Sequence, residues 1–165
     1  MGTVTAMNHL HRAIELSRLA LSDNTLTPFG AVLVVDGQTV GEGTSRVIAT
    51  NDPTAHAEVV ALREAGARLK THLFATATLY SSGEPCPLCL AACMWARVPR
   101  VVFESTSTDI AVHGFEDLLF YREMALPPES RGIEEIAATG LENLRAVEVL
   151  AKWAKGVPGG VIPKL

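Results

Sequence analysis

Apolar residues early in the chain recur mostly at spacings of three and four: Leu10, Ala13, Ile14, Leu16, Leu19, Ala20 and Leu21. This periodicity predicts an amphipathic helix over about 9–21. Pro28-Phe29-Gly30 breaks the pattern, and Ala31-Val32-Leu33-Val34-Val35 is a short run suited to a strand. Asp36-Gly37 then reads as a hairpin turn, with Thr39 to Gly43 as the returning strand. Asn51-Asp52-Pro53-Thr54 is a loop that offers a helix start, and a second helix follows over about 54–65, closed by Gly66.

Ala77 to Ser81 predicts a third strand. Pro87 is well placed to open a third helix, which runs from Leu88 to about Ala96. Val101-Val102-Phe103 is a fourth strand. From 105 to 131 the pattern is irregular except for a helix around Glu116 to Glu123, ahead of Pro127-Pro128. Ile133 to Ala138 predicts a fifth strand, and Leu141 to Lys155 has helical periodicity. Gly156 to Pro163 is too rich in Gly and Pro for a regular element. Strands alternate with helices throughout, so the fold class is α/β, a layered sheet with helices on its faces. There is no internal repeat and no low-complexity segment.

A chain of 165 residues suits one domain over 1–165, with 156–165 as a C-terminal tail. A domain of this size buries roughly 68–70% of its unfolded surface, enough for a core without staples. With 48% hydrophobic and 19% charged residues, disorder is excluded. A net charge of −4 argues against a broad basic face for nucleic acid. No apolar run reaches the roughly 18 residues of a membrane span. The N-terminus lacks the basic and then apolar pattern of a secretory signal. Three cysteines, two of them close together, fit a metal or redox site in a reducing compartment better than a disulfide framework. A cytoplasmic location is therefore expected.

Two short motifs carry chemistry: His56-Ala57-Glu58 and Pro85-Cys86-Pro87-Leu88-Cys89. Two thiolates at C-x2-C spacing can converge on one metal ion, and zinc takes sulfur and nitrogen donors in a tetrahedral shell. A helix N-terminus favours the anionic form of both sulfurs. By itself the spacing also fits a thioredoxin-like redox pair, with Pro87 between the cysteines. A structural zinc site needs four protein ligands, and Cys93 reads as a small packed side chain rather than a fourth. His56 supplies a third donor. His56, Cys86 and Cys89 leave one position open for water, as in a catalytic zinc site where the water pKa falls toward about 7. Glu58, in the first turn of the helix, can reach that water and carry its proton to substrate. A lone His or Glu at a helix start is ordinarily a cap or a solvated side chain. The joint pattern H-x-E with P-C-x-x-C is the signature of zinc nucleobase deaminases.

On these residues the chain resembles the cytidine deaminase superfamily, and within it the guanine deaminase branch of small bacterial enzymes. The matching stretches are Pro28 to Val32, Asn51 to Val59 and Glu84 to Leu90, followed by Trp95-Ala96-Arg97, Thr108-Asp109 and Gly114-Phe115-Glu116-Asp117. The resemblance implies a three-layer α/β/α fold with a central five-stranded mixed sheet. It implies Zn2+ as cofactor and hydrolytic deamination of a small-molecule base, most readily guanine to xanthine and ammonia, with Glu58 as proton shuttle. It also implies a substrate pocket drawn from Phe29, Ser45, Ala57, Glu84, Trp95 and Asp117. Phe29 would stack on the base, Trp95 would border the pocket, and Asp117 would grip the base or help move a proton. A homodimer is the family habit.

Three positions depart from the family pattern. Ser45 stands where an Asn commonly binds base or ribose, and a hydroxyl cannot make the two-pronged contact of an amide. Gly83 stands where Cys is frequent, and the tail has no aromatic residue after Trp153. Arg46 and His113 are further pocket candidates. Ser45 points toward an alternative: a deaminase of cytosine, a nucleoside or another amino-heterocycle. A tRNA adenosine deaminase would want basic residues around the pocket mouth, which the composition does not favour. A non-catalytic zinc or redox module would have no use for Glu58.

Overall fold

The computed structural model describes residues 2–161, with side chains from residue 6 onward. Its centre is a hairpin, β1 (Thr27–Val35) and β2 (Gln38–Ser45). Asp36 and Gly37 turn the hairpin with φ of 49° and 78°, the left-handed pair that a two-residue type I′ turn requires. β1 starts at Thr27 rather than Ala31 and so takes in Pro28. The register shifts between Thr27 and Gly30, which puts the proline, with no N–H to give, outside the regular ladder. β3 (Thr78–Gly83) pairs antiparallel with β1, and β4 (Arg100–Ser105) pairs parallel with β3. The sheet is mixed, in the order β2-β1-β3-β4.

Successive residues of β1 face opposite ways and bury both faces. Val32, Val34 and, on β3, Tyr80 pack with Leu10, Ala13 and Leu16 of α1 (Gly2–Arg18). Ala31, Leu33 and Leu79 pack with Ala57, Ala61 and Ala65 of α3 (Ala57–Leu69) and with Cys93 of α4 (Pro87–Trp95). Helices thus cover both faces, and the expected three layers form. α1 starts at Gly2 rather than His9, and it ends at Arg18 because Leu19–Leu21 tighten into a 3-10 turn.

Glycines set the helix distances, Gly41 beneath the Ala61 carbonyl among them. A Cβ on Gly30 would lie 2.1 Å from the carbonyl oxygen of Ala13, and one on Gly43 would lie 2.0 Å from that of Ala57. Only a hydrogen fits at either place, so α1 and the first turn of α3 press directly on the hairpin. Gly43 in this way sets the height of the helix start that carries His56 and Glu58.

Two short helices were not expected, α2 (Val47–Thr50) and α5 (Ser107–Ala111). α6 (Asp117–Ala125) lies close to its expected place. Residues through Ala125 form one compact unit and those from Leu126 a second. The second unit holds a 3-10 turn (Pro128–Ser130), irregular chain, and α7 (Leu141–Gly156). The expected fifth strand is absent among the described residues: 133–138 is irregular, so the sheet has four strands. Ile133 and Ile136 are exposed, three residues apart rather than two, so the stretch offers no single apolar face to bury in a sheet. Gly159 and Gly160 have positive φ, in keeping with a tail of no regular structure; 162–165 lie outside the described residues. Among the described residues no helix is long and apolar enough to cross a membrane.

Candidate metal centre and pocket

Two helix N-termini converge on one place. His56 is the residue before α3, in extended conformation (φ −66°, ψ 154°), and Cys86 holds the same position before α4 (φ −65°, ψ 170°). Pro87 sets the first turn of α4, where its missing N–H costs nothing. The loop before His56 is folded by its own bonds. Asp52 Oδ1 accepts from the Thr54 N–H and hydroxyl at 2.8 and 2.6 Å, and the Arg63 guanidinium donates to Asp52 Oδ2 at 3.2 Å.

Cys86 Sγ lies 3.5 Å from His56 Nδ1 and 3.6 Å from Cys89 Sγ. The three donor atoms all fall within 4.8 Å of one another. One imidazole nitrogen and two sulfurs, gathered this closely and mostly buried, match the donor preference of zinc and leave a coordination position free. Glu58, 5% exposed, lies beside them. Its Oε1 accepts from the Ser81 hydroxyl at 3.0 Å and its Oε2 from the Cys89 thiol at 3.3 Å.

The electrostatics follow from this packing. The Cys86 thiol is lowered to about 4, first by its contact with Cys89 and then by His56. Cys89 is pushed up, first by the same contact with Cys86 and then by burial. Its bond to Cys86 also raises His56. Burial raises Glu58, and burial raises Asp117, with the charge of Cys86 adding to it. The cluster therefore carries one thiolate next to an imidazole, with two carboxyls held ready to take protons.

A cavity of about 180 Å³ opens beside this cluster. A hollow of roughly 150 Å³ is enough for a benzene ring, so the space suits one heterocycle with an edge toward the mouth. Phe29, Ser45, Glu84 and Asp117 line it together with His56, Glu58 and Cys86. Thr27, Val47 and Phe115 complete the wall. The rings of Phe29 and Phe115 meet edge to face with centroids 4.9 Å apart. Ser45, 2% exposed, accepts from the Thr27 hydroxyl at 2.5 Å. Glu84 uses Oε2 to accept from both the N–H and the hydroxyl of Ser107, each at 2.7 Å, and so caps α5.

Two expected pocket residues are elsewhere. Ala57 is fully buried at the first position of α3, its carbonyl against Gly43, and is not part of the cavity wall. Trp95 is 80% exposed at the end of α4 and borders a separate groove with Leu62, His72 and Phe74. Of the further candidates, Arg46 is exposed just past Ser45. His113 Nδ1 lies 2.8 Å from the Asp109 carbonyl, on a groove behind Phe29 and Phe115. Cys93 sits in the core, its thiol pushed up to about 12 by burial, as its reading as a packed side chain implies.

Ser81, Thr27 and Phe115 are the functional candidates that the sequence reading missed. Ser81 carried a signal: it stands two residues after Leu79 on the same strand face, where the alternation calls for an apolar residue.

A histidine and two cysteines poised for a metal, with a buried carboxylate at their side and a heterocycle-sized cavity in front, define a metal-dependent aminohydrolase site. Residues 4–105 match the cytidine and deoxycytidylate deaminase zinc-binding region. The chain belongs to this family of zinc-dependent deaminases. It is 40% identical over 151 residues to the guanine deaminase of Bacillus subtilis, covering 90% of this chain and 97% of that protein. The X-ray structure of guanine deaminase from Bacillus subtilis superposes with a TM-score of 0.85 at 38% identity, covering 92% of this chain and 97% of that one. A tRNA-specific adenosine deaminase of Buchnera aphidicola is 39% identical over 98 residues, covering 59% of this chain and 65% of that protein.

Proposed function

We propose that this enzyme hydrolyses guanine to xanthine and ammonia. The observation that carries the reading is extent. Similarity to the guanine deaminase runs through nearly the whole of both chains, whereas the tRNA deaminase match covers little more than half of this one.

In this reading His56, Cys86 and Cys89 hold the zinc ion. The ion supplies a Lewis acid that makes water a nucleophile near neutral pH. Glu58 takes the water proton and delivers it to the ring nitrogen beside the amino-bearing carbon. It then moves the second proton to the departing amine, so water is consumed and ammonia leaves. Burial, which raises Glu58, suits a group that must both accept and return a proton. Ser81 fixes one oxygen of that carboxylate. Phe29 stacks on the base, with Phe115 packed at its edge. Asp117, at the start of α6, grips the base from the opposite wall, and Ser45 with Thr27 lines the end of the pocket. Glu84 acts through the backbone it holds. The chain works as one deaminase domain over 1–165 with 156–165 as tail, as a cytoplasmic homodimer.

Ser45 supports a second reading, in which another amino-heterocycle is the substrate. Its hydroxyl is already engaged by Thr27, which leaves it fewer contacts than an amide could offer. Ammonia release by zinc-replete protein decides between them, with guanine, guanosine, adenine, adenosine, cytosine, cytidine and aminotriazines as the panel. Release from guanine alone is expected. Release from another member with guanine inert overturns the substrate and keeps the chemistry.

A further inference from the structure

We propose that Tyr121 is a positioning residue: its hydroxyl fastens α6, and with it Asp117, to the turn that carries Cys86. The proposal rests on the reading above in one respect, that Asp117 touches the base. Tyr121 Oη donates to the carbonyl oxygen of Pro85 at 2.6 Å. Pro85 is buried and immediately precedes Cys86, so its carbonyl needs a donor from the protein. Asp117 and Tyr121 are four residues apart on α6 and therefore share a face of the helix. One side chain lines the cavity while the other is tied to the wall opposite. Burial raises the Tyr121 hydroxyl, with the charge of Glu84 adding to it, and this keeps it a donor.

The rest of the geometry shows what this bond controls. The chain enters α6 through Gly114, whose φ is 89° and where an added Cβ would meet nothing within 4 Å. That joint restrains little. The turn at Cys86, by contrast, has other anchors. The Glu84 N–H donates to the Ser105 carbonyl at 2.8 Å, and the Glu84 carboxylate caps α5 through Ser107. Phe115 still packs on Phe29 ahead of α6, so removing the Tyr121 hydroxyl should leave the metal ligands in place and loosen α6 along the face that carries Asp117. The loss falls on base binding, through Asp117, and not on the metal.

A double-mutant cycle on zinc-replete protein tests this. The probe is xanthine, or the corresponding product if the parent enzyme deaminates a different base, and its Kd is measured by calorimetry. Inert guanine in the parent would sink the substrate reading and leave this test intact. Tyr121→Phe is expected to weaken product binding about five- to tenfold, the value of one hydrogen bond. KM should rise more than kcat falls, and zinc content should be unchanged. Asp117→Asn alone should weaken binding, and adding Tyr121→Phe to it should change Kd by no more than about twofold, because the hydroxyl then has nothing left to position. Additive effects would overturn the proposal. So would an unaltered Kd in Tyr121→Phe, an unaltered Kd in Asp117→Asn, or zinc loss or unfolding caused by Tyr121→Phe.

Discussion

Ser81→Ala isolates the support beneath the proton shuttle. The Ser81 side chain is fully buried, and its hydroxyl donates to Glu58 Oε1 at 3.0 Å while accepting from the Gly83 N–H at a longer 3.4 Å. It is not part of the cavity wall, so its removal changes no contact with the base. A hydrogen bond to a charged group contributes about 1.5–3 kcal/mol, and 1.4 kcal/mol is a factor of about ten. If that bond holds Glu58 in its working orientation through the proton transfers, kcat should fall about 10- to 100-fold. KM should stay within about threefold of the parent. The weaker Gly83 contact contributes about 1 kcal/mol to stability, so Tm should drop by about 2–4 °C. The assay is steady-state ammonia release with zinc content measured on the same sample. A kcat within twofold of the parent, with zinc bound and the fold intact, would refute the claim that Ser81 holds the shuttle. A rise in KM with kcat unchanged would equally refute it, by placing Ser81 in substrate binding.

Three further outcomes follow from the same geometry. Glu58→Gln should keep zinc, measured by metal analysis, and lose turnover by at least about 100-fold, the low end for a positioned general acid–base; retained turnover would remove Glu58 from the mechanism. Gly43→Ala forces a methyl to within 2.0 Å of the Ala57 carbonyl. It should cost about 1–3 kcal/mol by thermal unfolding and weaken zinc retention against a chelator, since α3 must shift and carry His56 with it. Asp52 and Asp109 are held below the usual carboxylate range, each first by a threonine hydroxyl, Thr54 and Thr106, and then by a backbone N–H. A folded pKa below the unfolded one stabilises above the unfolded value, near 3.9, and that stability is lost as pH falls through the folded values. Tm should therefore decline below about pH 4, and a Tm that stays level from there to about pH 3 would contradict this.

The grouping of the candidate metal ligands was legible because its signal is local. His56, Glu58, Cys86 and Cys89 lie in two short motifs at helix starts; Pro87 announces that of α4, and α3 begins at Ala57, three residues after the expected Thr54. The layers were legible too, from the alternation of strands with helices and the turn at Asp36-Gly37. What could not be read was set by register and by tertiary partners. Counting outward from the turn, Val35 pairs with Gln38, and the same count carried to Thr27 would pair it with Arg46. Two register shifts bring Thr27 opposite Ser45 instead, so the hydroxyl pair at the end of the cavity depends on bulges that the pattern does not show. The stretch 133–138, Ile-Glu-Glu-Ile-Ala-Ala, lacks the strict alternation of a half-buried strand and has no ladder to join. The Trp95 placement came from the family pattern, and here that side chain ends α4 facing outward. α5, by contrast, had a readable sign in Thr106 and Asp109, a capping box three residues apart, with both reciprocal bonds formed.

The hydrogen bonds of Glu58 tie the shuttle to the state of its neighbours. Oε1 is held by Ser81, an alcohol that keeps its proton at any working pH. Oε2 is held by the thiol of Cys89. A cysteine binds a metal as thiolate, so ligation removes the proton that Cys89 donates. With a metal held by Cys89, Oε2 would lose this partner while Oε1 kept its own, leaving one oxygen anchored and the other free to accept. One oxygen fixes the orientation and the other is available to accept, which is what a group that takes a proton from water and hands it on requires. In the proposed mechanism the metal ligand Cys89 would therefore also free Glu58 to work, and Ser81, which holds the other oxygen, lies on the sheet and outside both motifs.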